Sequence, residues 1–268
     1  MDWSTRMEDA ILKLRRGEEQ FKTLLSKLET INVKNPIKLD FKQTESPSDT
    51  LEYALYVSYV PVIEKEVGIL LGETVQSFRI SLDYLAWTLV RKSGITLTEK
   101  QERYVAFPMG KDKADFATQV KKNNLSHLLS GQLTIIEKYQ PYQNTTAGIS
   151  IGYLQKLSNT DKHRIIVPVG IVPREFEAKL KPEGANILEI QKCYFDGQEL
   201  SNDTTVLTIV MDGEPQKWNA LMEFKASFAI SNSIIEPPPS FALAPLDQVF
   251  EGIRQTCFEV ISEFRYIS

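Results

Sequence analysis

Cysteine and histidine are scarce: the chain has two of each in 268 residues. Cys193 and Cys257 lie far apart, in strand-like and helix-like apolar patterns, which favours buried free thiols over a disulfide or a metal site. No metal-ligand, phosphate-loop or nucleophile pattern is complete, so the sequence implies neither a metal nor a cofactor. Net charge is also small, at −4. That excludes a global attraction to nucleic acid or anionic lipid, and any such binding needs a local basic patch. No apolar run approaches the length of a bilayer span, and no positive n-region precedes an apolar h-region. The expectation is a cytoplasmic protein with no membrane partner. Internal repeats and low-complexity tails are lacking as well.

What is there is ordinary globular material, 42% hydrophobic and 25% charged. Ile11, Leu14, Phe21, Leu25, Leu28 and Ile31 recur at helical spacing among charges, predicting an amphipathic opening helix. That stripe predicts burial against either the closing helix or a second copy, with a homodimer through the N-terminal helix as the preferred alternative. Ile37, Leu39 and Phe41 alternate with Lys38, Asp40 and Lys42, and a second alternating run covers residues 51–60. These predict a hairpin. Pro61 precedes a helix expected over 64–93 and closed by Gly94. Shorter helices are expected around 114–122 and 132–139. From 165 to 231 the pattern turns to strands punctuated by Asp196-Gly197, Asn202-Asp203 and Asp212-Gly213, which read as hairpin signals. Glu236-Pro-Pro-Pro-Ser reads as a stiff connector, and Val249, Phe250, Ile253, Cys257, Val260, Ile261 and Phe264 form the stripe of a closing helix. The predicted fold class is α+β: long N-terminal, central and C-terminal helices in a bundle packed with a mainly antiparallel sheet. A single unit is expected, helical over about 1–35, 63–164 and 245–268 and strand-rich over about 36–62 and 165–235.

Two polar constellations interrupt the apolar patterning. Leu157-Ser-Asn-Thr-Asp-Lys-His-Arg crowds Asn159, Asp161, Lys162, His163 and Arg164 between an expected helix over 149–157 and an expected buried strand over 165–172. Such junctions present chemistry on rigid elements. The second lies in the 64–93 helix. Val67, Leu71, Val75, Phe78, Leu82, Leu85 and Leu89 share one face there, while Ile69, Ile80, Trp87 and Val90 flank another. Gln76, Arg79 and Asp83 are set into that second arc, with Glu73 at its margin. Arg79 precedes Asp83 by four residues, the poorer order for an intrahelical pair, so simple helix stabilisation explains it badly. The two constellations are expected to meet, with Asn159, Asp161 or His163 approaching Arg79 or Asp83, because each is costly when buried alone.

Gly72-Glu73-Thr-Val-Gln76-Ser77-Phe78-Arg79-Ile-Ser81-Leu82-Asp83-Tyr84-Leu85-Ala86-Trp87, followed by Phe107-Pro108, Gln140-Pro141-Tyr142 and the 157–164 octet, resembles in order and spacing a group of uncharacterised bacterial proteins over roughly residues 50–170. The central helix in that group reads Gly-Asp-x-x-His-Asn-Leu-Arg-Ser-Ala-Leu-Asp-His-Leu. Its arginine and following histidine look like the motif of HEPN domains, helical bundles many of which are metal-independent ribonucleases or RNA-binding modules in stress and phage defence. In this chain Gln76 stands for the first histidine, Ser77 for the asparagine and Tyr84 for the second histidine. A tyrosine with an ordinary pKa of about 10 is a poor general base near neutral pH.

RNA cleavage of that kind needs a base for the 2′-hydroxyl, an acid for the leaving oxygen and a cation for the phosphorane. The implied assignments are His163 as base, Arg79 or Arg164 as cation, and Asp83 or Asp161 orienting the imidazole. Asn159, Asp161, Lys162, Arg164, Gln76 and Tyr84 are the implied ligand-binding residues. Three readings follow: an RNA-directed HEPN-like protein that binds or cleaves, a nucleotide- or anion-binding sensor, and a non-catalytic oligomeric interaction protein. His127 reads as structural and the pairs Lys111/Lys113 and Lys121/Lys122 as solvated faces, with no aromatic platform beside the lysines.

Overall fold

Met7, Ala10, Leu14, Gly17, Phe21, Leu24 and Leu28 are all buried and alternate three and four residues apart along the first helix, α1 (Trp3–Lys34). A 3–4 alternation keeps one seam in register with neighbouring helices. The expected stripe is corrected here: Leu24 occupies the seam and Leu25 is only half-buried, because the seam advances from Phe21 by three residues and not four. These and the following positions come from a computed structural model that describes residues 3–44, 50–162, 166–167, 169–193, 199–230 and 244–265. The connector at 236–240, the Asp196-Gly197 turn, His163 and Arg164 lie outside them.

The chain divides into two compact units in place of the expected one. The first comprises Met1–Leu25, Lys65–Val167 and Asp247–Ser268, the second Ser26–Glu64 and Pro168–Leu246. The fold class is α+β, as expected. In the first unit α2 (Lys65–Lys92) is enclosed along Val67, Leu71, Val75, Phe78, Leu82 and Leu85, each fully buried. Past its end Gly94 takes φ +76°, the left-handed conformation that a helix stop favours. There follow α3 (Glu99–Glu102), α4 (Lys113–Lys122), α5 (Ser130–Lys138), a 3-10 turn at Pro141–Gln143, α6 (Thr146–Lys162) and, after the second unit's strands, α7 (Leu246–Arg265). Phe250 of α7 stacks on Phe21 of α1 at 5.0 Å and tilts against Phe78 of α2 at 6.4 Å. The α1 stripe is thus covered at Phe21 from within the chain.

The second unit holds β1 (Lys38–Thr44), β2 (Leu51–Tyr59), β3 (Val169–Glu183), β4 (Ile187–Lys192), β5 (Thr205–Met211) and β6 (Lys217–Ile230). The β1–β2 hairpin forms as expected and joins later strands in a four-stranded sheet ordered β1-β2-β5-β4, with β3 and β6 pairing as a separate ribbon. Leu55, Val57, Leu207 and Ile209 on one sheet face pack with Ile171, Leu180, Ala226 and Phe228 of the ribbon. Pro173 and Pro182 are tolerated in β3 because, among the described residues, the ribbon has only two strands and β3 has no second neighbouring strand. Asp212-Gly213 is no hairpin turn: β5 before it and β6 after it belong to different sheets. Asp212 instead anchors the neighbouring loop, accepting from Asn186 N and Nδ2 at 2.7 and 2.8 Å.

At Gly17 α1 packs closely on α2. A Cβ there would lie 2.8 Å from the fully buried Phe78 ring. Gly17→Val is expected to destabilise the protein by about 1–3 kcal/mol through overpacking, although replacing a helix-interior glycine ordinarily helps or is neutral. Urea denaturation reads this directly, and an unchanged midpoint would mean that the seam is loose.

Candidate functional site

Between α3 and α4 the chain runs without regular structure through residues 105–110, yet Phe107, Pro108, Met109 and Gly110 are buried. Buried irregular backbone must find hydrogen-bond partners or lose about 1–3 kcal/mol per group. Side chains supply those from Ala106 O through Gly110 N. Asn123 Nδ2 donates to Ala106 O at 3.1 Å, and Phe107 N donates to Asp83 Oδ1 at 2.9 Å. Phe107 O accepts from Arg79 Nη2 at 2.8 Å and Pro108 O from Gln140 Nε2 at 3.0 Å. Met109 N donates to Gln119 Oε1 at 2.8 Å, while Met109 O accepts from Gln119 and Gln155 at 2.9 and 2.6 Å. Gly110 N donates to Gln140 Oε1 at 2.7 Å. Pro108 has no N–H to satisfy.

This strap explains two of the expected catalytic residues in structural terms. Arg79 is 13% exposed at its side chain; besides Phe107 O it contacts Met109 Sδ and pairs with Asp83 at 3.3 Å. Asp83 bridges Arg79 and Phe107 N. Its partner is the strap, and the awkward Arg-before-Asp order makes sense because both side chains reach sideways to the backbone of one residue, Phe107. Phe107-Pro108 and Gln140, quoted for the family resemblance, belong to the same network.

The polar octet is placed differently from expectation. The helix does not stop at Leu157 but continues as α6 to Lys162, so Asn159 and Asp161 are helical residues and not part of a helix-to-strand junction. Leu154, Leu157, Ser158 and Asp161 share the face toward α2, and burial of the first three carries the helix onward. Asp161 meets Gln76, whose Nε2 donates to Asp161 Oδ2 at 2.9 Å and Ser158 O at 3.2 Å. Neither Arg79 nor Asp83 is among its described partners. Gly72 permits the approach, since a Cβ there would stand 2.3 Å from Asp161 Oδ1. Gln20, Glu73, Gln76, Ser77 and Asp161 line a cleft of about 420 Å³ at this tie. Asn159 and Lys162 are exposed, and His163 and Arg164, on which the cleavage chemistry rests, lie outside the described residues.

The remaining expected site residue, Tyr84, is 40% exposed and faces a larger cavity of about 550 Å³. Asp9 of α1, Ile80, Asp83, Trp87 and Thr88 of α2, and Val105 at the start of the strap complete its lining. Lys13 Nζ sits 6.0 Å from the Tyr84 ring centre, and the Arg91 guanidinium lies 4.6 Å from that of Trp87 while also pairing with Glu102. Sequence reading missed Trp87 as a site residue, along with Asp9 and Lys13. Tyr84 and Trp87, three apart on one helix, were legible as an aromatic pair. Their meeting with α1 was not.

Burial pushes the Cys257 thiol up to about 12, against smaller opposing effects of Arg79 and Ser81. This agrees with the expected inert thiol, whereas Cys193, expected buried, is only half-buried just beyond β4. No cluster of metal-ligating side chains occurs among the described residues. Among them, too, no helix is long and apolar enough to cross a membrane. Exposed His127, Lys111, Lys113, Lys121 and Lys122 are surface residues. Comparison with family models, curated proteins and solved structures finds no match to this chain.

Two measurements check the site's construction. Arg79→Ala and Asp83→Ala should each cost about 2–4 kcal/mol, with the double change costing clearly less than the sum, because each single change also leaves the other side chain's charge without its ion-pair partner. Additive losses under 1 kcal/mol each, on the scale of exposed ion pairs, would dissolve the strap argument. With an aromatic disulfide reagent near neutral pH, Cys193 should react in the native protein and Cys257 only on unfolding.

Proposed function

We propose that this chain is a cytoplasmic HEPN-like protein that binds RNA or a nucleotide without cleaving it, at the cavity beside Tyr84 and Trp87. The observation that carries the reading is the pairing of two aromatic side chains, one turn apart on α2, along a 550 Å³ cavity with a cation against each ring. Pockets of this size with apolar walls and a few convergent polar groups are the usual form of a small-ligand site. Stacking on aromatic faces is how unpaired bases are held without pairing partners, and Lys13 at the rim suits a phosphate. Resemblance to the HEPN motif adds the substrate class, and the departures at Gln76 and Tyr84 favour binding over cleavage. With Arg79 committed to the strap, its guanidinium has little freedom to follow charge developing on a phosphorane.

Purified protein should bind fluorescent single-stranded RNA at low salt, weaken as salt rises, and leave the RNA intact in the presence of a chelator. Tyr84→Ala and Trp87→Ala should each weaken binding by about 1–3 kcal/mol at unchanged melting temperature. Absence of binding to RNA and to mononucleotides alike, or binding indifferent to both substitutions, would end this reading. Chelator-resistant cleavage would restore the catalytic one.

A further inference from the structure

We propose that the cavity selects nucleobases bearing an exocyclic amino group over uracil, and that the Asp9 carboxylate is the group that reads them. The inference rests on the reading that the cavity holds a nucleobase, and goes further by naming which.

Its lining is rich in acceptors. Thr88 Oγ1 commits its proton to Tyr84 O at 2.8 Å, so toward the cavity its hydroxyl offers only lone pairs. Asp83 accepts from Phe107 N and from Arg79 Nε, and its Oδ1 also lies 3.3 Å from Arg79 Nη2, so much of its acceptor capacity is engaged. Asp9, half-buried on α1, has no hydrogen-bond or ion-pair partner among the described residues. It is therefore the open carboxylate of the cavity. Tyr84 contributes one hydroxyl, fewer than the acceptors presented by Asp9 and Asp83 together. Ile80 and Val105 contribute only apolar surface.

Cytosine, adenine and guanine each offer an amino group to such a wall. Uracil's ring donor, N3–H, is flanked by two carbonyl oxygens, so a carboxylate that accepts from it faces two other acceptors. A base that leaves a desolvated carboxylate unsatisfied is discriminated against more strongly than one that merely fits loosely. Lys13, one turn from Asp9 on α1, lies at the Tyr84 face, so a base in the cavity and a phosphate outside it are compatible with the charge pattern.

The test is fluorescence anisotropy with short oligonucleotides of cytidine, adenosine or uridine, and cytidine and uridine monophosphates as competitors, on the full chain. Expected is a preference of roughly tenfold for cytidine and adenosine over uridine. Asp9→Asn, which adds a donor, should reduce that preference to twofold or less while stacking-dependent binding persists; Asp9→Ser should do the same with no amide in place. Far-ultraviolet circular dichroism and melting temperature confirm that each variant is folded. Equal affinity for all bases, with binding still lost in Tyr84→Ala, would overturn base selection and leave the binding site standing. Selection undiminished in both Asp9 variants would overturn Asp9 as the reader. No binding to any oligonucleotide or monophosphate would overturn both this inference and the reading beneath it. Competition by cytidine monophosphate as strong as by the oligomer would identify the free nucleotide as the ligand, and oligomer-only binding would identify RNA; the selection holds in either case.

Discussion

A buried peptide segment that belongs to no helix or sheet has to be hydrogen-bonded by something else, and in the helical unit that requirement organises the polar side chains. Residues 106–110 draw Arg79 and Asp83 from α2, Gln119 from α4, Gln155 from α6, and Asn123 and Gln140 from helix ends. Four helices and the strap are tied through one short stretch of backbone. Gly110 belongs to the same constraint, since a Cβ there would lie 2.7 Å from Phe116 N at the beginning of α4. Polar residues that look catalytic in a list of residue types are here donors and acceptors to peptide groups, which an apolar replacement would leave unsatisfied.

Close approach is the second organising device. Gly17 admits the Phe78 ring between α1 and α2, Gly72 admits Asp161, and Gly68 admits the Val167 carbonyl, 2.6 Å from where a Cβ would stand. Each glycine gives up some helix propensity, about 1 kcal/mol against alanine, for contact that a larger residue would forbid. One side of α2 is thus closed against α1, α6 and α7. The arc carrying Ile80, Asp83, Tyr84 and Trp87 is closed less completely, and the larger cavity lies along it.

Arg79 and Tyr84 illustrate how one short motif divides between scaffold and surface. Five residues apart, they sit on different arcs of the same helix: the guanidinium turns to the strap, the phenol to the cavity. Asp83 touches both, holding Phe107 N and lining the cavity wall. A ligand at the wall would therefore border on the strap's own hydrogen bonds. In the second unit the polar turn residues are likewise structural, as where Asn202 Oδ1 accepts from Val60 N at 2.9 Å and Asp203 takes φ +68°.

Periodicity alone determined the helices over 64–93 and the chain's two ends, the β1–β2 hairpin and the α+β class, because burying one face of an amphipathic element writes its period directly into the residues. It also marked Gln76, Arg79, Asp83, Tyr84 and Asp161 as unusual, since polar groups on a largely apolar helix need a reason. Tertiary structure alone decided what the reason was. Arg79 was legible as costly to bury but not as the partner of Phe107 O, a carbonyl 28 residues away in a segment with no period to read. The end of α6 was misplaced because Ser158–Lys162 looks like a turn locally and becomes helix only when Leu157 and Ser158 are covered by α2. Asp212-Gly213 signalled a reversal of direction, but which strand β6 then joined was settled by pairing with β3, 59 residues earlier along the chain at Gly170↔Ala229. Local composition sets conformational preference over a few residues; hydrogen-bond satisfaction and close packing are set by whatever the fold brings within 3 Å, and the sequence does not carry that distance.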